Sequence, residues 1–342
     1  MVVAFEHALG PQLLDEKHVS GWVNVPADCV VPTQRIHLHA ARAAGVNEPC
    51  IAGVDGTRRI LEIVSSLGAD DVCFCLLTGG GSALLPAPVP EISLEEKVRV
   101  TRLLSGAGAN IEQLNIVRQN LSLVKGGGLA RACRTGRLIA LIISDVLGDP
   151  LDLIASGPTV PRKSTPADAL DVLRSLQLMQ EPSIAAIVKY LQASSQQSAR
   201  QSPRESVAPT NVTNLLIGNN ATAVDAAGVQ AEKLGYSHAM IAATKSEGPA
   251  EDVGRHLAKM ALHMRNNAGP DCLISGGEPT VKLADERVRG KGGRNQQLAL
   301  AALDELDDCH SICLMSGGTD GEDGPTNAAG AFVDETIVRA AA

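Results

Sequence analysis

The sequence predicts an α/β protein with two α/β domains, each built on a parallel or mixed sheet covered by helices. Short apolar runs, typical of buried strands, alternate with helical patterns through most of the chain. This alternation favours helices packed on sheets over an all-helical or all-strand architecture. The length of 342 residues exceeds one ordinary core, and the apolar fraction of 44% can fill two.

A polar segment divides the chain. Between Gln192 and Asn211 the residues are mainly Gln, Ser and Pro, with almost no apolar side chain to offset the entropy of ordering. We therefore predict a first domain over 1–191, a linker over 192–210 and a second domain over 211–342. The predicted strands are Val72 to Leu77, Leu138 to Ile143, Asn214 to Ile217, Ala239 to Ala242, Cys272 to Ile274 and Ser311 to Met315.

Two helices are predicted between the first two of these strands. Ser93 and Glu96 form a capping box that opens a helix running toward Gly106. A second helix is predicted from about Asn110 to Val124, because its apolar residues recur at three- and four-residue spacing. These apolar residues are Leu114, Val117, Leu121 and Val124.

A polar face is predicted beside that apolar stripe. Arg118, Ser122 and Lys125 recur at helical spacing, directly before three consecutive glycines. Two cations and a hydroxyl on one face can hold an anionic substrate. An ordinary solvated face has the same pattern, so the residues alone leave both interpretations open.

Three predicted strands end in similar glycine-rich turns, LLTGGGS at 76–82, CLISGGEPT at 272–280 and CLMSGGTDG at 313–321. Paired glycines allow backbone N–H groups to approach an anion closely. Ligands of open α/β sheets bind at the carboxyl ends of strands, so we predict that these turns bind anions. The first turn matches neither a Walker A motif nor a dinucleotide fingerprint, which argues against hydride transfer.

Charged residues follow the strands as well. Asp145 comes after the run 138–143, where a carboxylate can bind Mg²⁺ or a substrate hydroxyl, or can cap the next helix. The stretch RVRGKGGRNQQ at 287–297 places Arg and Lys before a helical pattern, which suits a phosphoryl group, although a flexible surface loop has the same composition. Asp320, Glu322 and Asp323 lie among glycines and offer oxygen ligands for Mg²⁺. Basic and acidic loops together are what phosphoryl transfer requires.

Composition excludes other classes of protein. A formal net charge of -8 and an aromatic fraction of 2% argue against a nucleic-acid partner. No run approaches eighteen apolar residues, which argues against a membrane span, and the amino terminus lacks the character of a signal peptide. We therefore expect a cytoplasmic protein, whereas a mitochondrial form would need a longer amino terminus. A homodimer is left open.

Several stretches resemble the class II glycerate kinases, in the same order, from about Val72 to Asp334. They are LLTGGGSALLPAP, ISLEEKVRVTRLLSGAGANIEQLNIVRQNLSLVKGGGLA, LIISDVLGDPLDLIASGPTV, CLISGGEPTV, GKGGRNQQLAL and MSGGTDGEDGPTNAAGAFVD. The carboxyl-terminal part resembles the MOFRL domain of that family. The resemblance implies two α/β domains around an active-site cleft and an ATP- and Mg²⁺-dependent transfer onto D-glycerate, giving 2-phosphoglycerate.

The resemblance also implies roles for residues of this chain. The catalytic residues would be Arg294, Lys125 and Asp145. The substrate would be bound by Gly79, Gly80, Gly81, Ser82 and Arg118. The nucleotide would be bound by Gly276, Gly277, Glu278, Lys291, Asn295, Gly317, Gly318 and Thr326, and the metal by Asp320 and Asp323.

The chain departs from the family pattern at both ends. No G-K-A segment precedes Met1, the chain ends at Ala342 before the usual N-D-S and G-T-N segments, and Gln297 replaces a common glutamate. We therefore expect a truncated form with weak or no kinase activity on its own. Two alternatives stay open, a hydroxypyruvate reductase, which the absent dinucleotide fingerprint disfavours, and a catalytically silent protein that binds glycerate or nucleotide.

Overall fold

The structure is a computed structural model that describes residues 1–200, 211–285, 287–306 and 309–341, and the side chains of 198–200 are not described. The chain forms two compact units, Met1–Ile217 and Gly218–Ala342. Among the described residues, no helix is long and apolar enough to cross a membrane.

The first unit alternates helices and strands. Its elements in chain order are α1 (Val2–Glu16), β1 (Gly21–Pro26), β2 (Ile36–Arg42), α2 (Ile51–Ser66), β3 (Val72–Leu77), α3 (Gly81–Leu84), α4 (Leu94–Gly106), α5 (Ile111–Asn120), α6 (Gly128–Ala132), β4 (Arg137–Ile143), α7 (Pro166–Ser175), α8 (Ala185–Arg200) and β5 (Val212–Gly218).

Two sheets lie in this unit. Strands β1 and β2 pair in parallel, and a second sheet has the order β3-β4-β5. Strands β3 and β4 are parallel, with Val72 opposite Arg137 and Leu77 opposite Ile142. Alternate residues of β4 are buried, as expected for a strand that presents one face to a core.

Helices α4, α5, α7 and α8 build a helical core beside the sheet. Val100 and Leu104 of α4 pack there with Val117 of α5, Leu173 of α7 and Leu191 of α8, all essentially without solvent exposure. Helix α4 starts with the predicted capping box. Ser93 Oγ accepts a hydrogen bond from Glu96 N, and Glu96 Oε2 accepts one from Ser93 N. The first turn of α4 is therefore held by two reciprocal hydrogen bonds.

The second unit is also α/β. Its elements are α9 (Asn220–Lys233), β6 (His238–Ala242), α10 (Ala250–Asn266), β7 (Cys272–Gly276), α11 (Arg294–Leu303), β8 (Leu314–Gly317), β9 (Gly330–Val333) and α12 (Glu335–Ala341). Strands β6 and β7 pair in parallel, and β8 and β9 pair antiparallel. One core joins α10 and α11 to β8 and β9 through Ala258, Ala302, Leu314 and Val333.

The predicted fold class is confirmed, with parallel and mixed pairing covered by helices. All six predicted strands form, although β8 begins three residues later than expected. Three further strands, β1, β2 and β9, are not among the six predicted, although the alternation His37-Leu38-His39 within β2 indicates a strand edge. The helix predicted to reach Val124 ends at Asn120.

The predicted domain limits differ from the structure in two places. Residues 192–200 continue α8 instead of starting a linker, because Leu191 anchors the helix in the core and Ala and Gln sustain it. The rest of the predicted linker, 201–210, lies outside the described residues. Strand β5, predicted for the second domain, is bonded to β4, and Leu138 N donates to Asn211 O at 2.8 Å. The first unit therefore extends to Ile217.

Candidate active site

The glycine loop after β3 lies between an acid and a cation. A Cβ atom at Gly79 would overlap the carboxylate of Asp145, so only glycine lets that carboxylate lie against the loop. On the other side, one guanidinium nitrogen of Arg42 lies 3.4 Å from the Cβ position of Gly80. Arg42 Nε is buried and has no hydrogen-bond partner within the described ranges.

Lys125 ties this loop to a second segment of the first unit. Its ammonium group donates to Ser82 O at 2.9 Å, to Ser82 Oγ and to Ser156 Oγ at 3.4 Å. Ser156 Oγ in turn donates to Asn115 Oδ1 at 2.6 Å. Lys125 is only 3% exposed. The partners of its ammonium group are all neutral oxygens, so none of them is a counter-ion.

The segment around Ser156 has an unusual backbone. Ala155, Ser156 and Gly157 have φ values of 50°, 62° and 65°, and the first two are not glycines. Gly126 N donates to Ser156 O at 3.0 Å and Gly127 N donates to Gly157 O at 2.7 Å, which holds the turn in place. Non-glycine residues in this region of backbone space concentrate at functional sites, where surrounding contacts maintain the strain.

Three cations lie together behind the loop. Burial lowers the pKa of Lys125 well below its usual range, and the nearby charges of Lys97 and Arg118 lower it further. Burial lowers the pKa of Lys97 to about 7, with a smaller contribution from the charge of Arg118. Across the described part of the chain, none of these cations forms an ion pair with a carboxylate. The cluster therefore lacks a negatively charged partner, which a bound anion could supply.

The interpretation of 118–125 as one solvated helical face is wrong. After Asn120 the chain leaves the helix, because Val89 N donates to Leu121 O and Leu123 N donates to Ala87 O. Ser122 and Lys125 are consequently buried, and Ser122 Oγ accepts hydrogen bonds from Val124 N and Lys125 N within the same turn. Arg118 and Lys125 still approach each other, although not as neighbours on a helix.

In the second unit, the predicted turns come together around the start of α11. Arg294 Nη1 donates to Glu278 Oε1 at 2.7 Å, which links α11 to the turn after β7. Ser316 Oγ donates to Asn295 Oδ1 at 2.7 Å, which links α11 to the end of β8. The guanidinium of Arg294 is 44% exposed and therefore keeps N–H groups available to a ligand.

Asp323 does not fit the predicted role of metal ligand. Its side chain is 2% exposed, and its two carboxylate oxygens accept four hydrogen bonds. The donors are the backbone N–H and the side-chain amide of both Asn295 and Gln296. Burial alone would raise the pKa of Asp323, but these hydrogen bonds outweigh it and lower the pKa. Asp323 therefore caps α11 and occupies the N–H groups that were expected to face a phosphoryl group.

The other predicted residues of this unit surround that cap. Asp320 is exposed, and its Oδ1 accepts from Glu322 N at 3.1 Å. Thr326 Oγ1 donates to Asp323 O at 2.8 Å, and Lys291 is exposed on the loop before α11. Glu247 lies where a Cβ of Gly277 would be, which fills the turn after β7. Gly276 is the last residue of β7, Gly317 is the last residue of β8, and Gly318 follows β8.

The prediction from sequence missed four polar residues of the first unit, Arg42, Lys97, Asn115 and Ser156. One of them had a readable signal. Lys97 is three and seven residues before Val100 and Leu104, so it lies on the apolar stripe of α4. A lysine on a buried stripe is rare and points to a function. The other residues come from segments whose approach depends on the tertiary fold.

Comparisons with known proteins agree with this architecture. The chain matches the model of a domain of unknown function (DUF4147) over residues 1–192 and that of the MOFRL family over 271–342. It is 35% identical to glycerate kinase of Rattus norvegicus over 97% of this chain and 72% of that protein. It is 40% identical to D-glycerate 2-kinase of Thermotoga maritima, over 83% of this chain and 65% of that protein.

A solved structure is also similar. The crystal structure of a glycerate kinase from Thermotoga maritima has a TM-score of 0.79 and 36% identity, covering 98% of this chain and 76% of that one. Fold and similarity together define the class, α/β kinases that transfer a phosphoryl group to an alcohol. Within that class, the chain belongs to the glycerate kinase family.

Proposed function

We propose that this chain transfers the γ-phosphoryl group of ATP to D-glycerate and forms 2-phosphoglycerate. One observation of the structure carries the proposal, the cluster of the buried Lys97 and Lys125 with the half-buried Arg118 behind a glycine loop. A glycerate carboxylate would supply the negative charge that the cluster lacks. Family membership supports the reaction, and the name of the Thermotoga maritima relative supports the C2 hydroxyl as the acceptor.

In this proposal the first unit binds the acceptor. Lys125 and Arg118 would bind the carboxylate by charge-assisted hydrogen bonds, which are stronger than neutral ones. The loop from Gly79 to Ser82 would contribute N–H groups, and its third glycine, Gly81, begins α3. Asp145 lies against Gly79 and is proposed to accept the proton of the substrate hydroxyl as the phosphoryl group arrives.

The second unit is proposed to bind the nucleotide. Arg294 and Lys291 would contact the phosphates, and the turns Gly276 to Glu278 and Gly317 to Gly318 would contribute backbone N–H groups, together with Asn295 and Thr326.

Within the described residues, no group of three or more acidic, His or Cys side chains could hold a resident metal. Mg²⁺ needs only one or two carboxylates when it is bound with substrate phosphates, and Asp320 fits that requirement. Bound Mg²⁺ would neutralise phosphate charge. A cytoplasmic location and a homodimer remain predictions.

An enolase-coupled assay tests this function. The chain is incubated with ATP, Mg²⁺ and D-glycerate, and enolase converts only 2-phosphoglycerate directly into an absorbing product. We expect a signal that requires both substrates and is absent with L-glycerate. If ADP is released but enolase forms no absorbing product, the C2 assignment is contradicted. No ADP release, with NADH consumed in the presence of hydroxypyruvate, would contradict the kinase and support the reductase.

A further inference from the structure

Lys97 is a buried cation without a partner. Its side chain is 5% exposed, and no described residue accepts a hydrogen bond from Nζ. The capping box fixes α4 and therefore directs Lys97 inward, beside Val100 and Leu104. An unpaired ammonium group in such a place is unfavourable, and a purely structural lysine would be expected to have a carboxylate beside it.

The charged groups that interact with Lys97 are two further cations. Arg118 comes from α5, and Lys125 comes from the segment that follows it. The turn Pro182–Ile184, which also packs against α4, has no charged side chain. Among the residues that the structure describes, no carboxylate forms an ion pair with Lys97, so a bound anion is the partner that this arrangement lacks.

We propose that Lys97 completes a three-cation site for the carboxylate of D-glycerate and takes up a proton when this anion binds. The inference rests on the proposed function, because it names the site at which that substrate is bound. The proton comes from the buffer, and the products are an ammonium group and a carboxylate in contact. The pKa of Lys97 is about 7 without a ligand, so the side chain is mostly neutral at pH 8. Binding at pH 8 must then supply the missing proton.

Calorimetry tests the proposal without relying on turnover. D-glycerate is titrated into the full chain at pH 8 in buffers of different ionisation enthalpy, and the slope of the observed enthalpy gives the number of protons taken up. The pKa of Lys125 is lowered as well, so the proton count alone does not identify the group. Lys97→Met identifies it, and Lys189→Met on the exposed face of α8 is the matched control.

We expect the wild type and Lys189→Met to take up close to one proton more than Lys97→Met. At pH 6, where Lys97 is charged, Lys97→Met should bind D-glycerate about tenfold more weakly or worse. Lys97→Arg keeps the charge at every pH, so it should bind at pH 8 without this proton. It also serves as the informative variant if Lys97→Met fails to fold.

Two outcomes overturn the proposal in different ways. If D-glycerate binds to the wild type and to Lys97→Met with equal affinity and equal proton uptake, Lys97 is not part of the site, while the proposed function stands. If the wild type neither binds D-glycerate nor releases ADP with it, the proposed function fails and this inference fails with it.

Discussion

Lys125 connects two segments of the first unit through one ammonium group. It donates to the backbone and hydroxyl of Ser82 and to Ser156, whose turn is strained. Its removal would therefore both release the glycine loop and delete a cation from the cluster. Neither effect could be replaced by water, because the side chain is buried.

We predict that Lys125→Met lowers kcat/KM for D-glycerate by roughly a hundredfold or more, the usual cost of losing one charge-stabilising donor. Steady-state kinetics measure this, with Lys189→Met as the control that also removes one lysine. Circular dichroism of both variants checks that they fold. If kcat/KM of Lys125→Met lies within twofold of that of the control, Lys125 is not part of the site.

Asp323 has a structural role that can be tested by stability. We predict that Asp323→Asn lowers the free energy of unfolding by about 2 kcal/mol at pH 7, since it replaces a charged cap by a neutral amide. The folded pKa of Asp323 is lowered, so its contribution is complete above the unfolded value of about 3.9 and is lost as pH falls through the folded pKa.

The difference between wild type and Asp323→Asn should therefore shrink below about pH 4. Urea unfolding at pH 7 and at lower pH measures it. If instead Asp323→Asn unfolds like the wild type at pH 7 and abolishes Mg²⁺-dependent activity, the metal assignment was right and the capping interpretation is wrong.

Helix α4 shows how an element places a functional residue. The capping box at Ser93 fixes the first turn, and Lys97 follows one turn later on the buried stripe. We predict that Ser93→Ala lowers the free energy of unfolding by about 1 kcal/mol, the usual cost of losing an N-cap side chain. It should also weaken D-glycerate binding, because the fraying first turn would release Lys97.

Chemical denaturation and calorimetry of Ser93→Ala provide the two measurements. Ser105→Ala is a suitable control because Ser105 is exposed on the last turn of the same helix. If Ser93→Ala loses stability but its affinity for D-glycerate is unchanged, the helix cap is not needed for substrate binding.

Elements with local signals could be predicted from the sequence. The capping box of α4 and the apolar runs of β3 and β4 depend on neighbouring residues, and all three form as expected. Helix α5 ends early for a different reason. The segment after Asn120 hydrogen-bonds to residues 87 and 89, and no pattern within 110–124 reveals that partner. Its apolar spacing is equally compatible with a helix.

The site shows the same division between local and tertiary information. The sequence identified Lys125, Arg118 and the GGGS loop, because glycines and cations at strand and helix ends are visible in one dimension. Arg42 and Ser156 were missed, since only the tertiary fold brings them to the loop. The predicted role of Asp323 was wrong because a carboxylate can either bind Mg²⁺ or cap a helix. Only the hydrogen-bond donors around Asp323 distinguish the two roles.

At the scale of the whole molecule, the division into two units follows hydrogen bonding more closely than composition. The polar stretch from Gln192 suggested the boundary, but β5 belongs to the sheet of the first unit. Long-range strand pairing cannot be read from the composition of one segment. With either boundary, the first unit includes the glycine loop and the cation cluster, so it carries every residue proposed for glycerate.

The central claim is that buried, uncompensated cations of the first unit bind the carboxylate of glycerate. Thermal unfolding of the full chain with D-glycerate, and with neutral D-glyceramide at equal ionic strength, tests it most directly. A ligand at a hundred times its Kd adds about 2.7 kcal/mol of stability. We expect D-glycerate to raise Tm by several degrees and D-glyceramide to leave it unchanged. Equal shifts with both compounds, or no shift with either, would contradict it.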